Sequence, residues 1–341
     1  MNVHASSASD GLLILPHLNV QNANAISGPF THGLPAMSAF LGFMWALERR
    51  LVANGMALQF DGIGVICHDY QEHVQDGYIK TFRLTRNPVD KAGETAAIAE
   101  EGRVNLDITL VLGVSGAAGE SRLLGADDKG LRALAADIGN TVATMRVAGG
   151  TVLPPRRGPG RHIRPELVEL DQRPELAAAQ FRYIRRHWLP GFALVSRDDL
   201  VAQHTRALQE RNPQATQFDA WLELSGFRWA PVAASPTGDA FDPDRKVEWR
   251  HGRKGWLVPI PVGYGALSAV HPPGAVLNSR DGSTPSRFVE SLYGMGEWVS
   301  PHRLSCPSDL LWYAHNDLQK GLYRCRNDYR PSAVVFPNQS N

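Results

Sequence analysis

Four stretches of this chain concentrate side chains that can recognise another molecule. The first is QNANAISGPFTHGLP at 21–35. The amides of Asn22 and Asn24 can pair with base edges, glycine lets the backbone come close, and Phe30 or His32 can stack on a base. The same composition suits an ordinary strand-to-helix loop held by its own Asn turns. The second joins RRGPGRHIR at 156–164, with Arg157 and Arg161, to RYIRRHW at 182–188. Arginine interleaved with rings fits a groove that tracks a single-stranded backbone, and it equally fits a solvated arginine face. The third runs from Arg245 to Lys254 through Arg250 and Arg253, with five Lys/Arg against Glu248, and leads into Gly255–Leu267. Glycine-rich backbone beside such cations can cradle phosphate, and a hairpin turn next to a basic loop reads the same way. The fourth, TPSRFVESLYGMGEWVSPHRL at 284–304, mixes Arg287, His302 and Arg303 with Phe288, Tyr293 and Trp298. It suits a stacking platform or core packing, with core packing favoured for the aromatics.

No catalytic signature accompanies these stretches. The sequence holds no H-E-x-x-H, no P-loop and no G-x-G-x-x-G opening a helix. GVSGA at 113–117 lacks the second glycine of a nucleophile elbow, so Ser115 reads as a turn residue. The twelve histidines are scattered without metal-ligand spacing, and no cofactor is implied. Cys67, Cys306 and Cys325 are odd in number and far apart, which fits free thiols rather than a disulfide framework. A net charge of +1 argues against coating nucleic acid through bulk charge and leaves room for a local basic track. The bias to 29 Arg over 6 Lys carries little weight alone, because a GC-rich genome raises Arg, Ala and Gly together. No apolar run reaches the roughly 18 residues of a membrane span. MNVHASSASD lacks the features of a secretion signal and reads as a short disordered tail, so a cytoplasmic protein without membrane partners is expected.

Periodicity supplies the elements that must hold these stretches. LLILPHLNVQ at 12–21 reads as a strand with Leu12, Ile14, Leu18 and Val20 on one face, and Pro16 marks an edge or a bulge. Pro35 opens a helix to about Val52, apolar nearly all round and therefore buried, which Asn54-Gly55 stops. Strands follow at 58–68 and 78–86, and then the clearest one, with Val104, Leu106, Ile108, Leu110 and Leu112 on one face opposite Asn105, Asp107 and Thr109. An amphipathic helix at 128–147, capped by Asp127 and ended by Gly149-Gly150, presents Leu131, Leu134, Ile138, Val142 and Met145 to the core. A short strand at 151–153 completes a strand, helix, two or three strands, helix, strand order. That order predicts an α+β fold with a ferredoxin-like (RRM-like) antiparallel sheet, both helices on one face and the other face open. Farther on, a capping box Ser196-x-x-Asp199 predicts a helix at 198–209, GWLVPIPVGYGAL predicts a strand entering a glycine-rich turn, and Ser308–Lys320 predicts a final helix. Trp221, Trp229 and Trp249 lie in polar, Pro-broken segments and read as interface residues.

Taken together, LLILPHLNVQNANAISGPFTHGLPAMSAFLGF (12–43), GWLVPIPVGYGALS (255–268) and TPSRFVESLYGMGEWVSPHRL (284–304) resemble the RAMP-superfamily subunit of type I-F (Csy) CRISPR surveillance complexes. The resemblance runs over nearly the whole chain and is weakest through 155–250. It implies a RAMP core with an inserted thumb: a ferredoxin-like core at 1–155, a thumb or insertion with helices and basic loops at 156–252, and a return to the core with a glycine-rich segment and C-terminal helix at 253–341. It also implies a non-catalytic subunit that holds the 5′ handle of the crRNA, with the large subunit and the first backbone subunit as neighbours; contact with target DNA is left open. No individual RNA contact is carried over from the family. The competing reading is a RAMP endoribonuclease that processes precursor crRNA, with His17 or His32 as the acid–base group.

Overall fold

The computed structural model describes residues 9–86, 89, 92–95, 98–116, 127–158, 160–231, 249–251, 253–279 and 281–331. The first half is built from β1 (Gly11–Asn24), α1 (Met37–Ala53), β2 (Leu58–Glu72), β3 (Arg103–Gly116), α2 (Asp128–Ala143) and β4 (Gly150–Leu153). Hydrogen bonding orders the strands β4-β1-β3-β2, all antiparallel, so the two strands flanking α1 are separated by β3. Both helices cover one face. Phe40, Met44, Leu47 and Leu51 of α1 and Leu131, Ile138 and Val142 of α2 pack on Leu13, Leu15, Val104, Leu106, Ile108, Leu110 and Leu112. Asp127 caps α2 by accepting from the Gly130 N–H at 2.9 Å.

The sheet continues beyond β2. After β5 (Glu166–Glu169), α3 (Pro174–Ile184) and a 3₁₀ turn at Arg185–Trp188 comes β6 (Phe192–Ser196), then α4 (Asp198–Gln209), α5 (Gln217–Ser225) and the hairpin β7 (Trp229–Pro231) and β8 (Trp249–His251). β9 (Leu257–Ala266), β10 (Val289–Val299), a 3₁₀ turn at Pro301–Arg303, α6 (Pro307–Leu310), β11 (Trp312–Asp317) and β12 (Leu322–Asn327) finish the described chain. The order runs β2-β6-β10-β9-β12-β11, and β11 returns to β2 at Trp312–Ile63, so the later strands curl round onto the first sheet. Among the described residues no helix is long and apolar enough to cross a membrane.

Several sequence expectations are corrected. Leu12 and Ile14 do not share a face with Leu18 and Val20: a bulge between Leu15 and Leu18, with His17 at φ 50°, shifts the alternation. Leu12 and Ile14 therefore meet Phe181, Ile184, Trp188 and Leu310 on the second face of the sheet. That face is only partly open, because the end of α3 and α6 cover its apolar half. The strand expected at 78–86 is two short pieces, Thr81–Phe82 and Leu84–Arg86, in separate ladders. α2 stops at Ala143, and Gly149-Gly150 is the turn into β4, whose Gly150 pairs with Val147.

Ser196 is not the cap of α4. It belongs to β6, and the N-cap Arg197 makes no side-chain cap bond. The glycine-rich segment is no turn: β9 runs through it, bulging between Pro261 and Gly263. Gly263 sits at φ 144°, where a Cβ would lie 2.0 Å from the Tyr323 carbonyl oxygen, so strand packing itself demands glycine there. The final helix is four residues long and gives way to β11, because Trp312 and Ala314 alternate inward and pair with β12; Leu318 is exposed. Trp221 is a core residue, 6 % exposed, whose indole donates to the Gly294 carbonyl at 2.8 Å, whereas Trp229 and Trp249 are exposed.

Candidate nucleic-acid interface

The uncovered half of the second sheet face is polar. Asn19 and Asn105, on neighbouring β1 and β3, flank a cluster built by two bulges. One bulge lifts His17 from β1, the other lifts His68 from β2, and the β3 hydroxyl of Thr109 lies between them. The Thr109 oxygen accepts from the His17 N–H at 3.2 Å and lies 2.7 Å from His68 Nε2. His68 Nδ1 is 2.7 Å from the Pro190 carbonyl, which can only accept, so Nδ1 carries the proton and Nε2 accepts from Thr109. His17 Nδ1 meets Asp107 Oδ1 at 2.9 Å, and the other oxygen of that carboxylate takes the Arg161 guanidinium. Burial first, and then the Arg161 charge, lower the His17 pKa to about 4. Burial also pulls His68 down to about 4 against the bond to Pro190, so both rings are neutral at pH 7.

A second polar region lies at the rim of this face. The rings of His162 and His187 stack with centroids 4.7 Å apart, which brings the two arginine-rich stretches together. Arg182 and Arg186 are exposed on either side of Arg185, whose pKa is pushed down by burial and by those two neighbours while Asp309 opposes the shift. The turn Arg185–Trp188 packs on the turn Pro301–Arg303, adding His302, which is exposed, and Arg303, which reaches Glu297 at 3.5 Å.

The third region is where α1 meets β9, beside the loop that follows β1. Ser38 Oγ lies 3.5 Å from Tyr264 Oη, and the exposed ring of Phe30 stands 5.5 Å from Tyr293. A groove of about 800 Å³ opens here, lined among others by Asn24, Ser38, Gly42, Arg146, Tyr264 and Tyr323. The two tyrosines stack at 6.2 Å, and the small residues of α1 leave the space open.

The candidate residues named from sequence therefore divide. Asn22 sits at φ 58° with its N–H bonded to Asn105 Oδ1, at the edge of the polar face. Asn24 closes an Asx turn, donating to the Ile26 carbonyl and accepting from its N–H, as the loop reading anticipates. His32 bonds to Glu72 and lies 4.9 Å from Phe82. Arg157 is exposed, and Arg161 is committed to Asp107. Arg287 braces the segment after β9 by donating to the Ser268 carbonyl at 2.7 Å. In the basic run Arg250 is on β8, Lys254 is exposed, and Arg253 lies 4.6 Å over Phe227. Arg245 lies outside the described residues. Sequence reasoning missed His68, Asp107 and Tyr323 as members of polar sites. The one available signal was an acid in the polar row of a strand whose other row is wholly apolar.

The fold and these surfaces define an α+β protein with a large antiparallel sheet, an amide- and imidazole-rich face and an arginine-lined rim. Residues 13–325 match the family of CRISPR-associated proteins described as Cas_Csy2. CRISPR-associated protein Csy2 of Pseudomonas aeruginosa strain UCBPP-PA14 is 45% identical over 320 residues, covering 92% of this chain and 94% of that relative. The chain belongs to the Csy2 family of CRISPR-associated proteins.

Proposed function

We propose that the chain is a non-catalytic crRNA-binding subunit of a type I-F CRISPR surveillance complex in the cytoplasm. In this reading it caps the 5′ handle of the crRNA and pairs with the large subunit, with the first backbone subunit beside it. The βαββαβ half with strand order β4-β1-β3-β2 serves as a ferredoxin-like RAMP core, and 156–252 supplies the thumb or insertion. The observation that carries the proposal is the contact among the three family-like segments: Ser38 of the first meets Tyr264 of the second at the groove, and Phe30 of the first stands beside Tyr293 of the third. Unstacked bases of single-stranded RNA are held by such aromatic faces, with amides and arginine at the edges.

The endoribonuclease reading draws no support from His17, which is occupied by Asp107 and titrates near 4, far from the range of an efficient acid–base group at neutral pH; His32, paired with Glu72, is the group that reading would use. Ultraviolet crosslinking of the chain to a labelled crRNA tests the proposal. Crosslinks from 5′-handle nucleotides to peptides at 21–43, 255–268 and 284–304 are expected. Crosslinks confined to the 3′ end of the RNA would reject the handle assignment.

A further inference from the structure

The connection between β4 and β5 takes a detour. Both strands pair with the same edge of β1: β4 meets Asn19–Gln21, and β5 meets Gly11–Ile14. From Ile14 to Asn19 is about 16 Å of extended chain at roughly 3.3 Å per residue, yet the connection runs from 154 to 165, more than twice what that distance needs. The excess swings over the second sheet face. Arg161 crosses β1 to reach Asp107 on β3, the strand at the opposite edge of β1.

Three contacts hold the end of this connection. Arg161 is on Asp107, the ring of His162 stacks on His187, and Pro165 lies against α2, where a Cβ on Gly139 would come within 2.6 Å of its ring. The Arg161 contact is the one that fixes the chain to the polar half of the sheet. Among the described residues from 154 to 164, Arg161 and Ile163 are half-buried and the others are exposed. Gly160, at φ 69° with open space around it, is a pivot just before the clamp.

The clamp shares its carboxylate with a titratable ring. His17 Nδ1 stands 2.9 Å from Asp107 Oδ1 and 3.1 Å from Arg161 Nη2. A neutral His17 can donate to the carboxylate or accept from the guanidinium, so it tolerates Arg161 in either tautomer. An imidazolium carries a proton on that nitrogen and a charge beside the guanidinium. Asp107 then has two cations competing for it, and they repel each other. The remaining groups that face His17 do not relieve this. His68 of β2 is a second imidazole, Thr109 of β3 is uncharged, and Asp69, the register partner of Asp107 on β2, is exposed. His17 is held in a strand and Arg161 in a loop, so Arg161 is the cation that yields.

We propose that residues 160–165 form a strap that closes the polar half of the second sheet face, fastened by Arg161 on Asp107, and that a proton on His17 releases it by displacing Arg161 from the carboxylate. The released strap pivots at Gly160 and uncovers Asp107 beside Asn19. It is closed at neutral pH, since burial first and then Arg161 hold His17 at about 4. A proton that opens the strap is bound more tightly by the open form, so closure is complete above 6.5 and is lost as pH falls toward 4. The device does not depend on the guide-RNA reading.

Hydroxyl-radical footprinting of the full chain, read by mass spectrometry at about pH 7 and about pH 4, tests it. Ile163 reports the strap, and Leu13 and Leu110, both 0% exposed, report the core. Wild type is compared with Arg161→Gln and His17→Gln. In wild type, Ile163 labelling should rise about twofold or more at the lower pH while the two leucines stay protected, as for a local opening. Arg161→Gln should show the raised level already at neutral pH, and His17→Gln should keep the low level at both. Unchanged Ile163 labelling in wild type would overturn the proposal. An equal rise in His17→Gln would overturn it by assigning the release to another group. Leucine labelling that rises together with Ile163 would also overturn it, because acid would then be unfolding the sheet rather than lifting a strap.

Discussion

His17 and His68 stack with ring centroids 4.1 Å apart, although β3 runs between their strands. Their contact exists because each ring leaves its strand at a bulge, and Thr109 beneath them engages both residues. The arrangement requires neutral rings, and it makes stability depend on pH. Both pKa values fall from 6.5 in the unfolded chain to about 4 in the fold. The unfolded state therefore binds more protons below 6.5, and stability present above pH 6.5 is lost as pH falls toward 4, by at most about 3 kcal/mol per ring. Urea unfolding at pH 7, 5.5 and 4.5 should show this decline, and His68→Gln should flatten it. A midpoint independent of pH across that window would contradict the assignment.

Asp107 is 10 % exposed at its side chain and serves His17 and Arg161 at once. Asp107→Ala leaves a largely buried guanidinium without its counter-charge and should cost about 3 kcal/mol, with Asp107→Asn costing less. Thermal melts at pH 7 check the order. Equal stability of wild type and Asp107→Ala would mean that the cluster is solvated rather than structural.

Much of the first half was legible because each row of side chains faces one environment. Val104, Leu106, Ile108, Leu110 and Leu112 declare a strand with one helix-covered face, and the Asp127 cap and Leu131–Ile138–Val142 stripe declare α2. The polar site was less legible, since it depends on bulges: Pro16 signalled the one at His17, but nothing local signals the one at His68. The C-terminal helix failed because the apolar spacing of Leu310, Leu311 and Ala314 fits a helix, while the β12 edge that claims Trp312–Asp317 comes later in the chain. Whether an arginine is claimed by a carboxylate also depends on distant partners: Asp107 holds Arg161, whereas Arg182 is exposed.

The tryptophans separate by role. Trp221→Ala should destabilise the fold by about 3–5 kcal/mol, since it removes a buried ring and its bond to Gly294. Trp229→Ala and Trp249→Ala should leave the melting temperature within a degree or so and weaken copurification of the large subunit, because exposed indoles at interfaces supply much of the affinity. Copurification at wild-type levels with both removed would exclude this hairpin from the interface.

Tyr264 forms one wall of the groove and is partly exposed. Tyr264→Ala should weaken binding of 5′-handle RNA by about 1–3 kcal/mol, as for loss of one base-stacking ring, and Tyr264→Phe should retain most of it. Fluorescence anisotropy with handle RNA measures both. Equal affinity for wild type and Tyr264→Ala would move the RNA out of the groove.

The central claim, that this chain holds guide RNA by its 5′ handle without cutting it, is tested most directly by one measurement: sequencing both ends of the RNA that copurifies with the tagged chain, before and after incubation with precursor transcript. The account predicts bound RNAs that share one repeat-derived 5′ handle, with the added precursor left intact. Defined precursor fragments that appear with the wild-type chain and vanish with His17→Ala or His32→Ala would contradict it, as would bound RNA with no common 5′ end.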